Sequence, residues 1–139
     1  MSMTATARRH GNGLEHVVDV NGRHVIVTDE PAGIGGTDHG PAPHELLAAT
    51  LAACVATMIA LYAQTRGWDI GETAVEVDYD PEAVPRSFTV ELLLPGDLAP
   101  EQVRRLERVA QTCPVRRALE AGFSFQERTS LTPATGVLA

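Results

Sequence analysis

Pro43-His44-Glu45-Leu46-Leu47-Ala48-Ala49-Thr50-Leu51-Ala52-Ala53-Cys54-Val55-Ala56-Thr57-Met58-Ile59-Ala60-Leu61-Tyr62 carries no charge from Leu46 to Tyr62. The Ala- and Leu-rich run reads as one helix. It is apolar on every side, and such a helix must be buried on every side. One of the two cysteines of the chain, Cys54, stands at its centre.

The segments around this helix are strand-like. Glu15–Val20 and Arg23–Thr28 are β-rich and separated by Asn21-Gly22, a strong signal for a type I′ hairpin. Pro31–Pro43 holds four Gly and three Pro and reads as a loop. Gly67 is placed to end the helix in the left-handed region. Thr73–Tyr79 and Ser87–Leu94 alternate apolar and polar residues, and Asp80–Arg86 between them reads as a hairpin loop. Pro100–Thr112 predicts an amphipathic helix with Val103, Leu106, Val109 and Ala110 inward. Pro114–Ala121 predicts a short helix stopped by Gly122. Phe123–Leu131 predicts a final strand. The order ββ-α-ββ-α-α-β defines an α+β class with antiparallel strands packed on helices. The whole of 1–139 reads as one domain, with 1–12 and 132–139 as loose tails.

Composition bounds the function. The chain of 139 residues is 44% hydrophobic but only 4% aromatic, so its core is built from Ala, Val and Leu. A domain of this size wraps a fully apolar helix poorly, and a homodimer is expected. A net charge of −7 argues against nucleic acid or an anionic membrane as partner. All eleven basic residues are Arg, which excludes Schiff-base and P-loop lysine chemistry. The N-terminus is polar and shows no secretory signal, so a cytoplasmic setting is expected. The apolar run falls short of about 20 residues and has strand-like flanks, which favours a core helix over a membrane span.

The chemistry rests on thiols. Pro114 at the first helical position makes Cys113 the N-cap, where unpaired N–H groups and the helix dipole favour a thiolate. Arg116 and Arg117 lie one turn further on. Cys54 on an apolar helix is by default an inert hydrophobe with a raised pKa, and needs a cation from elsewhere to act as a nucleophile. Arg23, His39 and His44 are candidates, although His44 lies about 15 Å from Cys54 along an ideal helix. None of the five histidines forms a metal-ligand spacing with a cysteine, and no metal site is expected.

Two motifs give the chain a family resemblance. Gly36–Cys54 (GTDHGPAPHELLAATLAAC) and Cys113–Leu119 (CPVRRAL) resemble the OsmC/Ohr family of thiol-dependent organic hydroperoxide reductases, and the element order fits from about Glu15 to Leu131. The resemblance implies an intertwined homodimer with antiparallel sheets around a buried apolar helix and two sites at the subunit interface. It implies that Cys54 attacks an alkyl or lipid hydroperoxide and that Cys113 resolves the sulfenic acid to a disulfide. A dithiol such as dihydrolipoamide, a lipoyl protein or a low-molecular-weight thiol then reduces that disulfide, with no bound cofactor. The chain departs from the family pattern in two places. The catalytic Glu ten residues before the first Cys is His44 here, with Glu45 one position off. No Arg lies between Thr28 and Pro43, leaving Arg23 as the nearest candidate and Arg8 or Arg9 as weaker ones. The alternative is a protein of the same fold that binds an apolar or electrophilic ligand in the interface pocket without peroxidase chemistry.

Overall fold

The computed structural model describes residues 2–133. Three strands, β1 (Ala5–Arg9), β2 (His16–Val20) and β3 (His24–Thr28), form an antiparallel sheet in that order. The long helix α1 (Pro43–Arg66) follows, then the hairpin β4 (Ala74–Asp80) and β5 (Ser87–Leu93), then α2 (Pro100–Ala110) and α3 (Pro114–Ala121). Among the described residues the second sheet has only these two strands.

Local sequence accounts for most boundaries. Asn21 and Gly22 both take positive φ, 55° and 68°, the conformation a type I′ turn requires. Val20 pairs with His24, so Arg23 belongs to the loop and the connection is one residue longer than a two-residue turn. Helix α1 starts with Pro43 at its first position. Glu45 closes the start by accepting a hydrogen bond from the Ala42 N–H at 3.0 Å. Gly67 ends the helix at φ 67°, with the Trp68 N–H bonded back to the Ala63 carbonyl at 2.9 Å. The alternation in β4 and β5 is realised residue by residue: Val75, Val77, Tyr79, Phe88, Val90 and Leu92 turn to one face, their neighbours to solvent.

The loop before α1 is built around one carboxylate. Asp29 is buried, and its Oδ2 accepts from the Thr37 hydroxyl at 2.6 Å and from the backbone N–H groups of Thr37 and His39. Its Oδ1 accepts from the Glu30 N–H at 2.8 Å. The Thr37 hydrogen bond above all holds the carboxyl at about 2, well below the usual carboxylate range. Gly36 and Gly40 let the loop close, since a Cβ at either would run into a backbone carbonyl, that of Glu30 or Val27. Apart from a 3-10 turn at Ala32–Ile34, this segment is the irregular loop the Gly and Pro content requires.

The core lies where α1 meets β4, α2 and α3. Leu51, Val55, Ile59 and Ala63 form its central stripe, with Ile70, Leu106, Ala110 and Cys113 against it. Leu106 is fully buried. Leu106→Ala is therefore expected to lower stability by about 2–5 kcal/mol, read as a fall in the urea midpoint at unchanged slope.

Three expectations are corrected. The helix that should be buried on all sides is buried on one stripe within the chain; Leu47, Ala53, Thr57 and Leu61 remain exposed. The reason is that α1 packs mainly on β4, α2 and α3, while β1, β2 and β3 pack mainly on one another. The N-terminal segment expected as a tail carries β1, paired along its length with β2 from Ala5↔Val20 to Arg9↔His16. Polar side chains there hid a strand whose stability comes from backbone pairing at a sheet edge. The final strand expected at Phe123–Leu131 does not form. Residues 122–133 hold no strand and are exposed, with Phe125 85% accessible, because apolar alternation makes a strand only where a sheet edge receives it. Of the expected C-terminal tail, residues 134–139 lie outside the described residues.

Candidate thiol site

Helix α1 and the start of α3 bring the two cysteines together. Cys54 sits one turn after Leu51 and next to Val55, on the side of α1 that faces the core. Cys113 is the N-cap of α3, with φ −53° and ψ 126°, and its carbonyl accepts from the Arg117 N–H at 3.0 Å. Pro114 at the first helical position gives up no needed donor, and the next N–H, that of Val115, is directed at the Cys54 sulfur. The Cys54 thiol lies against the Cys113 sulfur and the Val115 N–H. Both cysteines are free thiols; Cys54 is half-buried and Cys113 fully buried.

The surroundings of Cys54 are those of an unactivated thiol. Burial pushes the Cys54 thiol up, and the neighbouring Cys113 adds to the effect. The Val115 N–H opposes it by stabilising a thiolate. Among the described residues of the same chain, no arginine contributes to that balance.

The remaining sequence candidates lie elsewhere in the protomer. Arg23 is on the exposed β2–β3 turn, in the sheet that packs mainly on itself. His44 is on the first turn of α1, edge-on to Tyr79 with ring centroids 6.1 Å apart. Glu45 is engaged in closing the helix start. His44, Glu45 and Tyr79 line a cavity of about 440 Å³ at that end of α1, away from the cysteines. His39 is bonded to Glu15 at 2.7 Å.

Two groups near the thiols were not singled out for Cys54 by the sequence. The Val115 N–H is one, and the Cys-Pro pair that opens α3 is the signal that could have found it. Arg116 is the other, in a more remote position. It lines a cavity of about 220 Å³ with Leu51, Val55, Val90 and Leu92, and a second of about 710 Å³ with Phe88 and Leu119. Its guanidinium is 3.5 Å from the Glu120 carboxylate. The smaller cavity is mainly apolar, flanks the turn of α1 that carries Cys54, and suits a hydrocarbon chain with one polar end, whereas the larger also carries Arg86, Arg116 and Glu120.

The OsmC-like protein family model matches residues 36–128, and the chain belongs to that family. No curated protein matches it. Among solved structures it is similar to a protein from Psychrobacter arcticus 273-4 thought to be induced by osmotic stress and to act in detoxification. The two share 26% identity over 84% of this chain and 87% of that one, at a TM-score of 0.68. It is also similar to an organic hydroperoxide resistance protein from Elizabethkingia anophelis, with 26% identity, coverage of 84% and 86%, and a TM-score of 0.59. An organic hydroperoxide resistance protein from Legionella pneumophila shares the fold at 21% identity, coverage of 86% and 89%, and a TM-score of 0.58. The antiparallel α+β architecture is thus that of OsmC-like structures. By length and composition α1 could cross a membrane; in this fold its buried stripe serves as the core of the domain.

Proposed function

We propose that the protein is a cysteine-based reductase of organic hydroperoxides. The observation that carries the reading is the contact between Cys54 and Cys113, with a mainly apolar cavity lined by the neighbouring Leu51 and Val55. The Cys54 thiolate attacks the outer oxygen of R–O–O–H. The O–O bond breaks, an alcohol leaves, and the sulfur becomes a sulfenic acid. The Cys113 sulfur displaces water from that sulfenic acid and forms the disulfide, which an external dithiol reduces by exchange. Catalytic roles fall to Cys54 as nucleophile and Cys113 as resolving thiol. The Val115 N–H stabilises the thiolate. Trapping tests this order: in Cys113→Ser, one equivalent of cumene hydroperoxide should add one oxygen to the mass and leave a sulfenate on Cys54. Recovery of unmodified Cys54 would refute it.

The working unit in this reading is a homodimer. The uncovered face of α1 and the unpaired segment 122–133 with Phe123 and Phe125 are apolar surfaces that a second copy would cover. In that dimer Arg23 of the partner subunit is the leading candidate to approach Cys54, with Arg8 or Arg9 as weaker ones, and a cation there would favour the thiolate. Its removal raises the pKa again. Arg23→Ala should shift the pH midpoint of Cys54 alkylation upward by about one unit; identical profiles would remove Arg23 from the site. His44 and Glu45 would line the far end of the same interface.

The raised Cys54 thiol favours one second reading, a binding protein that holds an apolar or electrophilic ligand in the same cavity. It predicts two thiols that survive excess hydroperoxide and a lipid-like mass that co-purifies.

A further inference from the structure

A second group of chemically competent side chains lies away from the cysteines. The turn between β1 and β2 supplies His10 and Glu15, the end of β3 supplies Asp29, and the loop before α1 supplies His39. Glu15, Asp29 and His39 each offer one donor atom, and these atoms lie within 4.8 Å of one another. Glu15 Oε1 is 2.7 Å from His39 Nδ1, and Glu15 Oε2 is 3.9 Å from His10 Nε2. The Glu15 carboxylate thus sits between two imidazoles, with the buried Asp29 behind.

The arrangement has the attributes of a cation site. Hydrogen bonds from Glu30, Thr37 and His39 fix the Asp29 carboxylate, and an Oδ1 that accepts from one N–H retains a second lone pair. The Glu15 side chain is 19% exposed and so is largely held in place, whereas His39 and His10 are 66% and 69% exposed. The carboxylates are set and the imidazoles can close from the solvent side. Two ligands at about 2.0–2.2 Å from a tetrahedral ion lie about 3.3 Å apart. An ion would replace the 2.7 Å Glu15–His39 hydrogen bond, and His10, 3.9 Å from the other Glu15 oxygen, would swing in to complete the set. Glu15 above all, with Asp29 and Asp38, raises the His39 pKa, so an ion bound here displaces a proton from that imidazole. Two imidazoles and two carboxylates suit Zn2+ and neighbouring first-row divalent ions.

We propose that His10, Glu15, Asp29 and His39 form a binding site for a divalent transition-metal ion that ties the β1–β2 turn to the loop preceding α1. No ligand spacing announces it in the sequence, because three separate segments supply it. The bound ion links the N-terminal sheet to the approach to α1 and stabilises the folded state by mass action. It takes no part in the thiol reaction.

The test is a calorimetric titration of Zn2+ into the tag-free, reduced full-length chain at neutral pH, with a thiol count before and after. Cys54 and Cys113 are the competing thiolate ligands, and the thiol count separates the two destinations. The proposal predicts one equivalent bound per chain, unchanged thiol reactivity and a higher thermal midpoint with Zn2+. His39→Ala and His10→Ala alter exposed side chains and should fold as the parent does without metal, yet each should weaken binding at least about tenfold. No saturable binding, equal binding by both variants, or thiols protected by Zn2+ would overturn the proposal and leave an ion pair only.

Discussion

Cys54→Ser is expected to lower the rate of alkyl hydroperoxide consumption at least about a thousandfold. That loss corresponds to roughly 4 kcal/mol of transition-state stabilisation. A serine hydroxyl fits the space of the thiol but is far from ionised at any working pH, so the attacking group is gone while the fold is kept. The side chain is only half-buried, and the core stripe of Leu51, Val55 and Ile59 lies beside it. The variant should therefore keep the parent's thermal midpoint within a few degrees. Steady-state peroxide consumption with a dithiol reductant checks the expectation; wild-type turnover in the variant would assign the chemistry to another group.

Ala53→Arg is expected to abolish dimerisation. Ala53 lies on the face of α1 that its own chain leaves uncovered, beside Thr57 and Leu61 along the helix. If a second copy covers that face, an arginine placed there must lose its hydration without a partner, at a cost of several kcal/mol. The wild type should sediment at twice the 14.8 kDa chain mass, and the variant as a monomer or as aggregate. Ala53→Ser should remain dimeric. A dimeric Ala53→Arg would mean that the subunits meet on another surface, and would remove the proposed route for Arg23 of the partner subunit to Cys54.

Most of the fold was legible because local rules and tertiary demands agree. Asn21-Gly22 forces its turn, Pro43 and Gly67 bound the long helix, and strict alternation from Val75 to Tyr79 and from Phe88 to Leu92 puts one sheet face on the core. The errors fall where pairing partners decide. Strand β1 has no apolar signature because it is a polar edge paired through its backbone, and Phe123–Leu131 has that signature but no edge to join. Both were matters of tertiary context, which a window of residues does not contain.

The thiol site was legible in part, for a related reason. Cys113 was readable as an N-cap from Pro114 alone, since the rule is local. That Cys54 meets it depends on how α3 docks on α1, 59 positions further along the chain, and only the two-motif resemblance pointed to it. The search for a cation at Cys54 met the opposite problem. Arg23, His44 and Glu45 are chemically suitable residues, yet the protomer spends them on a turn, an aromatic contact and a helix start. The Gly/Pro loop read as irregular, whereas the structure organises it around the buried Asp29.

The central claim, that Cys54 and Cys113 are a redox pair for organic hydroperoxides, is tested most directly by intact mass and thiol count. The reduced protein receives one equivalent of an alkyl hydroperoxide. The account predicts loss of two hydrogens and of both free thiols per chain, a Cys54–Cys113 peptide in the digest, and full reversal by dihydrolipoamide. An unchanged mass with two free thiols would contradict it, and would leave the family fold holding a ligand rather than performing the reaction.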